Sequence, residues 1–162
     1  MYKLRDIILE QSVNPKALIL AGSPGAGKSS FIENVKDALI LNVDDAYMRN
    51  LKDLDVSLDL KNADAEDRSK AAKAMAAANK EFKGNVEATI GGKESFILDG
   101  TGASLRETSK LKTELEEAGY EVFMLYVYTD LERSLKQNQD RFEKSGGKDR
   151  SLAPAIVMRT WK

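Results

Sequence analysis

The segment LILAGSPGAGKSSF runs from Leu18 to Phe31. An apolar run gives way to Gly22, Gly25 and Gly27, and then to Lys28, Ser29 and Ser30. Residues 22–29 match G-x-x-x-x-G-K-[ST], between a strand-like run and a stretch with helical spacing, which is the context that pattern requires. Glycines let successive backbone N–H groups turn toward phosphate oxygens, and the helix that follows adds the positive end of its dipole. Gly22, Ser23, Pro24, Gly25, Ala26, Gly27, Lys28, Ser29 and Ser30 are therefore the candidate nucleotide-binding residues. Lys28 is expected to reach the β- and γ-phosphates and Ser29 to face Mg2+. The ligands this loop implies are a nucleoside triphosphate, ATP or another, and Mg2+.

Composition narrows the chemistry. The chain has 162 residues, enough for one domain with a core. It has no Cys and no His, which excludes thiolate nucleophiles, imidazole bases and metals held by either residue. Acid–base work falls to Asp, Glu, Lys or Tyr, and any metal to oxygen donors. A net charge of -1 disfavours long nucleic acid as a partner, because such domains carry a basic excess. No apolar run approaches the ~20 residues of a membrane span. The N-terminus reads as an amphipathic helix over residues 3–12 without the apolar core of a signal peptide. The expected compartment is the cytoplasm, of a cell or of an infected host.

Outward from the loop, strands alternate with helices. Ala17–Leu20 and Ala38–Val43 read as buried strands, with further strands at Ser95–Asp99 and Glu121–Thr129. Helical spacing covers 28–38, 63–89, 103–118 and 130–144, and a last helix carries Pro154 in its first turn. Ala71, Met75, Ala78, Phe82 and Val86 form the stripe of the long helix, with Gly91-Gly92 as its stop. Leu105, Leu111, Leu115 and Ala118 form the next stripe, and Thr129 to Glu132 reads as a capping box. The stretch 46–62 reads as irregular and polar, with room for short helical turns. The alternation predicts one α/β domain, a parallel sheet with helices on both faces.

Ligands of such sheets bind at the carboxyl ends of the strands, and two of these ends carry acids. FILDG places Asp99 where an acid holds Mg2+ through water, or where a turn simply begins. LNVDD places Asp44 and Asp45 where a kinase needs an acid for its acceptor hydroxyl, or where a helix needs a cap. Further on, residues 132–162 hold eight Lys and Arg against four Asp and Glu, although the whole chain is at -1. Broken by Gly146-Gly147, this basic segment reads as a lid, at about residues 131–153, whose arginines could close over transferring phosphate. The plainer reading is a solvated charged helix face.

GSPGAGKSS, NVDDAYMR, FILDGTG and RSLKQNQDRFEKSGGKDRS together resemble the P-loop kinases of the zeta-toxin and polynucleotide-kinase group, small kinases that many bacteriophage genomes also carry. The resemblance implies a three-layer α/β/α fold with at least four parallel strands in the order 2-3-1-4 and a C-terminal helical lid. It implies a catalytic set of Lys28, Asp44, Arg141 and Arg150. Asp44 looks like the acid that activates the acceptor, with Asp45 as second choice. Arg49 looks like the arginine that touches the acceptor, and Asp99 and Thr101 like an acceptor- or metal-side pair. Metal contacts would come from Ser29 and Asp99. Asn138 and Arg141 match the turn of the lid helix, and Arg150 its second arm. Such kinases usually add a fifth strand whose loop helps to hold adenine, whereas this chain reaches Trp161-Lys162 directly after a helix, so an incomplete base-binding wall is expected. The leading expectation is transfer of the γ-phosphate of ATP to a hydroxyl of a small molecule, a nucleotide-sugar or a polynucleotide 5′ end. A hydrolysing switch and a nucleotide-binding module without transfer are the alternatives. The residues name neither the acceptor nor an oligomeric state.

Overall fold

The structure is a computed structural model that describes residues 14–35 and 38–161, so the helix expected over residues 3–12 lies outside the described residues. Four strands, β1 (Lys16–Ala21), β2 (Leu39–Asn42), β3 (Phe96–Asp99) and β4 (Glu121–Tyr126), form one sheet in the order β2-β3-β1-β4. All pairings are parallel, with Leu20 opposite Asp99 and Leu125, and Asn42 opposite Asp99. β1 is central, and every one of its residues is buried. That is why its sequence is continuously apolar rather than alternating.

The helices are α1 (Lys28–Ile32), α2 (Asp44–Asp53), α3 (Ala65–Gly92), α4 (Leu105–Glu117), α5 (Leu131–Lys144) and α6 (Pro154–Trp161). α1 passes into a single 3-10 turn, Glu33–Val35. Phe31 and Ile32 of α1 cover one face of the sheet, over Leu18, Leu20 and Ile97. Val86 of α3 and Leu115 of α4 cover the other, over Ala17, Leu41, Phe96 and Leu98. This is the expected three-layer arrangement.

Several local expectations are corrected. Part of the stretch read as irregular is α2, which begins at Asp44. The Asn42 side chain accepts from Asp45 N–H at 3.0 Å, and two acids sit in the first turn, where the helix dipole favours them. Ala46, Tyr47 and Leu51 then bury against Ala71, Ala74 and Ala78 of α3. Gly91-Gly92 does not stop α3, which runs through Gly92 and ends at Lys93 in the left-handed conformation. β2 is an edge strand with Leu39 exposed, not a strand buried on both faces. β4, the other edge, ends at Tyr126 rather than Thr129. Leu105 lies outside the apolar face of α4, 80% exposed. The cap of α5 is Asp130, whose side chain accepts from Arg133 N–H, rather than Thr129.

The core facing α3 and α4 centres on Phe96, which is fully buried and meets Tyr120 edge-on at 5.6 Å between ring centres. Phe96→Ala is expected to destabilise the fold by about 3–5 kcal/mol. Urea denaturation measures it, and a loss below about 1 kcal/mol would contradict this account of the core.

Candidate active site

The carboxyl ends of β1, β3 and β4 are tied together around the glycine loop. Gly22 N–H donates to Thr101 O, Gly100 N–H to Leu20 O and Val127 N–H to Ala21 O. Gly22 has φ of 154°, and a Cβ there would lie 2.4 Å from Val127 O, so only glycine passes this point. Gly25 has φ of 78°, and its missing Cβ would strike Ser134 O of α5 at 2.5 Å. The loop is therefore pressed between the end of β4 and the flank of α5. Gly27, also left-handed, precedes the first residue of α1.

The Lys28 ammonium folds back into the loop and donates to Gly22 O at 2.8 Å and to Ser23 O at 3.4 Å. Burial lowers its pKa below the ordinary lysine value, while the nearby Asp99 and Asp44 carboxylates oppose that and Arg141 adds to it. Burial likewise raises the pKa of Asp99, against the favourable pull of Lys28 and with the repulsion of Asp44 and Asp45. Asp99 Oδ1 is buried and has no hydrogen-bond partner among the described residues. Groups this close in field, from β3, α1, α2 and α5, form one electrostatic unit at the end of the sheet.

Asp44 opens α2 and receives Arg150 Nη2 at 2.6 Å. Arg150 is 9% exposed and stacks over the ring of Tyr47, 5.0 Å from its centre. Asp149 joins the two lid arginines: one carboxylate oxygen accepts from Arg150 N–H and the other pairs with Arg141 Nε, both at 2.8 Å. Ser151 fastens the same segment to the loop after α2, through Leu58 O, Asp59 and Lys61 N–H. Residues 149–151 thus tie α5 to α2 and to the segment that follows α2.

Lys28, Asp44, Asp99, Arg141 and Arg150 are brought together. Asp45 stands apart, bonded to Asn42, and lines a polar cleft at the sheet edge with Arg49, Glu81 and Asn85. Arg49 does not turn toward the loop: its guanidinium grips both carboxylate oxygens of Glu81 on α3 at 2.7 Å. Thr101 serves through its carbonyl, which holds Gly22, while its hydroxyl only meets Ala103 N–H at 3.4 Å. Ser29 and Ser30 are exposed in the first turn of α1. Asn138 is buried, donates to Leu152 O at 3.4 Å, and leaves its own oxygen without a partner among the described residues. Three contributors were missed. Tyr47, Asp149 and Ser134 act by contact across the fold, and no motif spacing marks them.

The donor set fits a hard cation bound jointly with phosphate. Asp99 supplies a buried, unpartnered carboxylate oxygen, and Ser29 follows the lysine on α1. Among the described residues no group of three His, Cys, Asp or Glu side chains could hold a metal by itself, so phosphate oxygens and water would have to complete the shell. Among the described residues no helix is long and apolar enough to cross a membrane.

Comparisons place the chain in a family. A structure from the PezAT chromosomal toxin-antitoxin system of Streptococcus pneumoniae aligns with a TM-score of 0.68 and 20% identity, covering 87% of this chain and 59% of that one. A structure of the Pnkp1/Rnl/Hen1 RNA repair complex aligns with a TM-score of 0.64 and 18% identity, covering 94% of this chain and 44% of that one. A candidate kinase from Chloroflexus aurantiacus aligns with a TM-score of 0.66 and 14% identity, covering 91% of this chain and 75% of that one. At these identities the likeness is one of fold. This chain spans less than two thirds of the pneumococcal and RNA-repair chains. No curated protein matches it in sequence. The family description Zeta toxin matches residues 3–159, nearly the whole sequence, and the chain belongs to the zeta-toxin family of P-loop kinase folds.

Proposed function

We propose that this protein is an ATP-dependent phosphotransferase that moves the γ-phosphate to a hydroxyl acceptor. The observation that carries the reading is the meeting of Asp44 with Arg150, 2.6 Å apart, beside the Lys28 and Asp99 pair at the mouth of the glycine loop. An acid and an arginine held together at the mouth of a phosphate loop are the groups that transfer to a hydroxyl would use.

In this reading the loop amides and Lys28 hold the β- and γ-phosphates, and Arg141 lies close enough to share their charge. Ser29 and, through water, Asp99 would hold Mg2+. That ion, when bound, would neutralise charge on the β- and γ-phosphate oxygens. Arg150 exchanges its contact with Asp44 for the phosphate. Asp44 is then free to accept the proton of the acceptor hydroxyl. The acceptor oxygen bonds to the γ-phosphorus, the bond from that phosphorus to the β–γ bridging oxygen breaks, and ADP leaves. Asp44 suits the acid's role better than Asp45, because Asp44 faces Lys28 and Arg150 while Asp45 is held by Asn42 beside the cleft. That cleft, with Asp45, Arg49 and Glu81, offers polar groups for the body of a small acceptor. The toxin–antitoxin and RNA-repair relatives make a nucleotide-containing acceptor and a partner protein reasonable subjects of a screen.

A phosphotransfer screen with γ-labelled ATP over 5′-OH oligonucleotides, nucleosides, nucleotide-sugars and proteins tests the reading. Strong hydrolysis that no acceptor increases would contradict it. With an acceptor in hand, Asp44→Asn is expected to slow transfer by ~10²-fold or more while nucleotide affinity changes little. Lys28→Ala should impair both, and equal transfer by Asp44→Asn and wild type would remove Asp44 from the mechanism.

A pH dependence follows from Lys28. Its pKa in the free protein lies below 10.5, and phosphate at the ammonium raises it, so nucleotide binding is linked to proton uptake. The apparent Kd for ATP should therefore rise with pH, beginning below the ordinary lysine range. Titration calorimetry across neutral and alkaline pH measures this, and a flat profile through that range contradicts it.

A further inference from the structure

Ser134 reaches the glycine loop from the neighbouring helix. It lies on α5, one turn beyond the Asp130 cap, and is fully buried. Its hydroxyl donates to Pro24 O at 2.6 Å. Ser23 Oγ, itself buried, lies 3.2 Å from Ser134 Oγ. A serine hydroxyl has one proton. With that proton spent on Pro24, Ser23 must be the donor in the second contact. The result is a directed chain from Ser23 through Ser134 to the carbonyl of Pro24. Beside it, the backbone of α5 occupies the space that a Cβ on Gly25 would need, with Ser134 O 2.5 Å and Asn138 N 3.3 Å from that point.

In a trans peptide the C=O and the N–H lie in one plane and point in opposite directions. The Pro24 carbonyl is turned toward α5 and held there. The N–H of Gly25, in the same peptide unit, is thereby turned away from α5. We infer that Ser134 is a positioning residue of the phosphate loop: it satisfies the outward carbonyl of Pro24 and so presents the Gly25 N–H to the phosphates. This rests on the nucleotide-binding reading for its ligand, but not for its geometry. The same contact makes α5, the root of the lid segment, part of the loop's conformation, so that loop and lid are set by one helix. Without a donor at 134, the carbonyl of Pro24 and the hydroxyl of Ser23 both lose a buried partner. The peptide can then rotate to seek another.

The test uses Ser134→Ala and Ser134→Cys in the full chain. Cysteine refills the volume with a weak donor, whereas alanine leaves it partly empty, so the pair separates hydrogen bonding from packing. Two readouts are taken with the thermal midpoint as a check on folding: affinity for a fluorescent ATP analogue with Mg2+, and hydrogen–deuterium exchange of the amides of residues 22–27 without ligand. Both variants are expected to weaken the analogue by about 10-fold and to speed exchange in that loop. If Ser134→Cys restores both values, or if Ser134→Ala leaves loop exchange and affinity at wild-type levels, the assignment is overturned. If the wild type does not bind the analogue yet both variants speed exchange in the loop, the positioning role stands and the nucleotide reading falls.

Discussion

A loop can gather backbone N–H groups around a phosphate only if the carbonyls of the same peptides find partners on the other side. In this protein the loop's polar backbone groups are held from three directions. The Lys28 ammonium takes the carbonyls of Gly22 and Ser23 from within the loop. Ser134 takes that of Pro24 from α5. Thr101, after β3, holds the N–H of Gly22 at the loop's root. Each partner stands at the end of a different element, so the loop is a consequence of the whole sheet's order. The central place of β1 between β3 and β4 makes those three directions available.

The second constraint is electrical. Burial lowers the pKa of Lys28 and raises that of Asp99, so each charge is costly alone and each is eased by the other. Asp44 and Arg141 extend the same balance, and Arg150 reaches in from the lid segment to pair with Asp44 over the Tyr47 ring. Positive charge thus stands on the lid side and carboxylates on the sheet side. Asp149 ties Arg141 to the backbone that carries Arg150, because one carboxylate oxygen takes the Arg141 guanidinium and the other the backbone N–H of Arg150.

Much of this was legible before the fold was known. The glycine pattern names its own geometry, since few other uses exist for glycines followed by Lys-Ser at a strand-to-helix junction. The positions of Asp44 and Asp99 were legible because an acid at the carboxyl end of a strand in an α/β sheet lies at the ligand end. The helical state of residues 44–53 was not, because its polar composition hides the short Ala46, Tyr47 and Leu51 stripe that α3 covers. Arg49 was misjudged for a related reason: spacing along α2 says which face it occupies, but not that Glu81 of α3 waits there. The edge positions of β2 and β4 came from the resemblance, through its 2-3-1-4 order, and not from the strands' own residues, since an apolar edge strand and an apolar central strand read alike.

The sequence by itself determined the class of fold and the phosphate loop. Local chemistry dictates both: strand and helix periods, the conformational needs of Gly22 and Gly25, and the charge of Lys28. Only the tertiary structure decided which carboxylate faces the lysine, which arginine meets it, and that Ser134 supports the loop from a helix 110 positions away from Pro24. Those outcomes depend on contacts between elements far apart in the chain. A hydroxyl or a carboxylate carries no mark in its own neighbourhood of the partner that packing will bring to it.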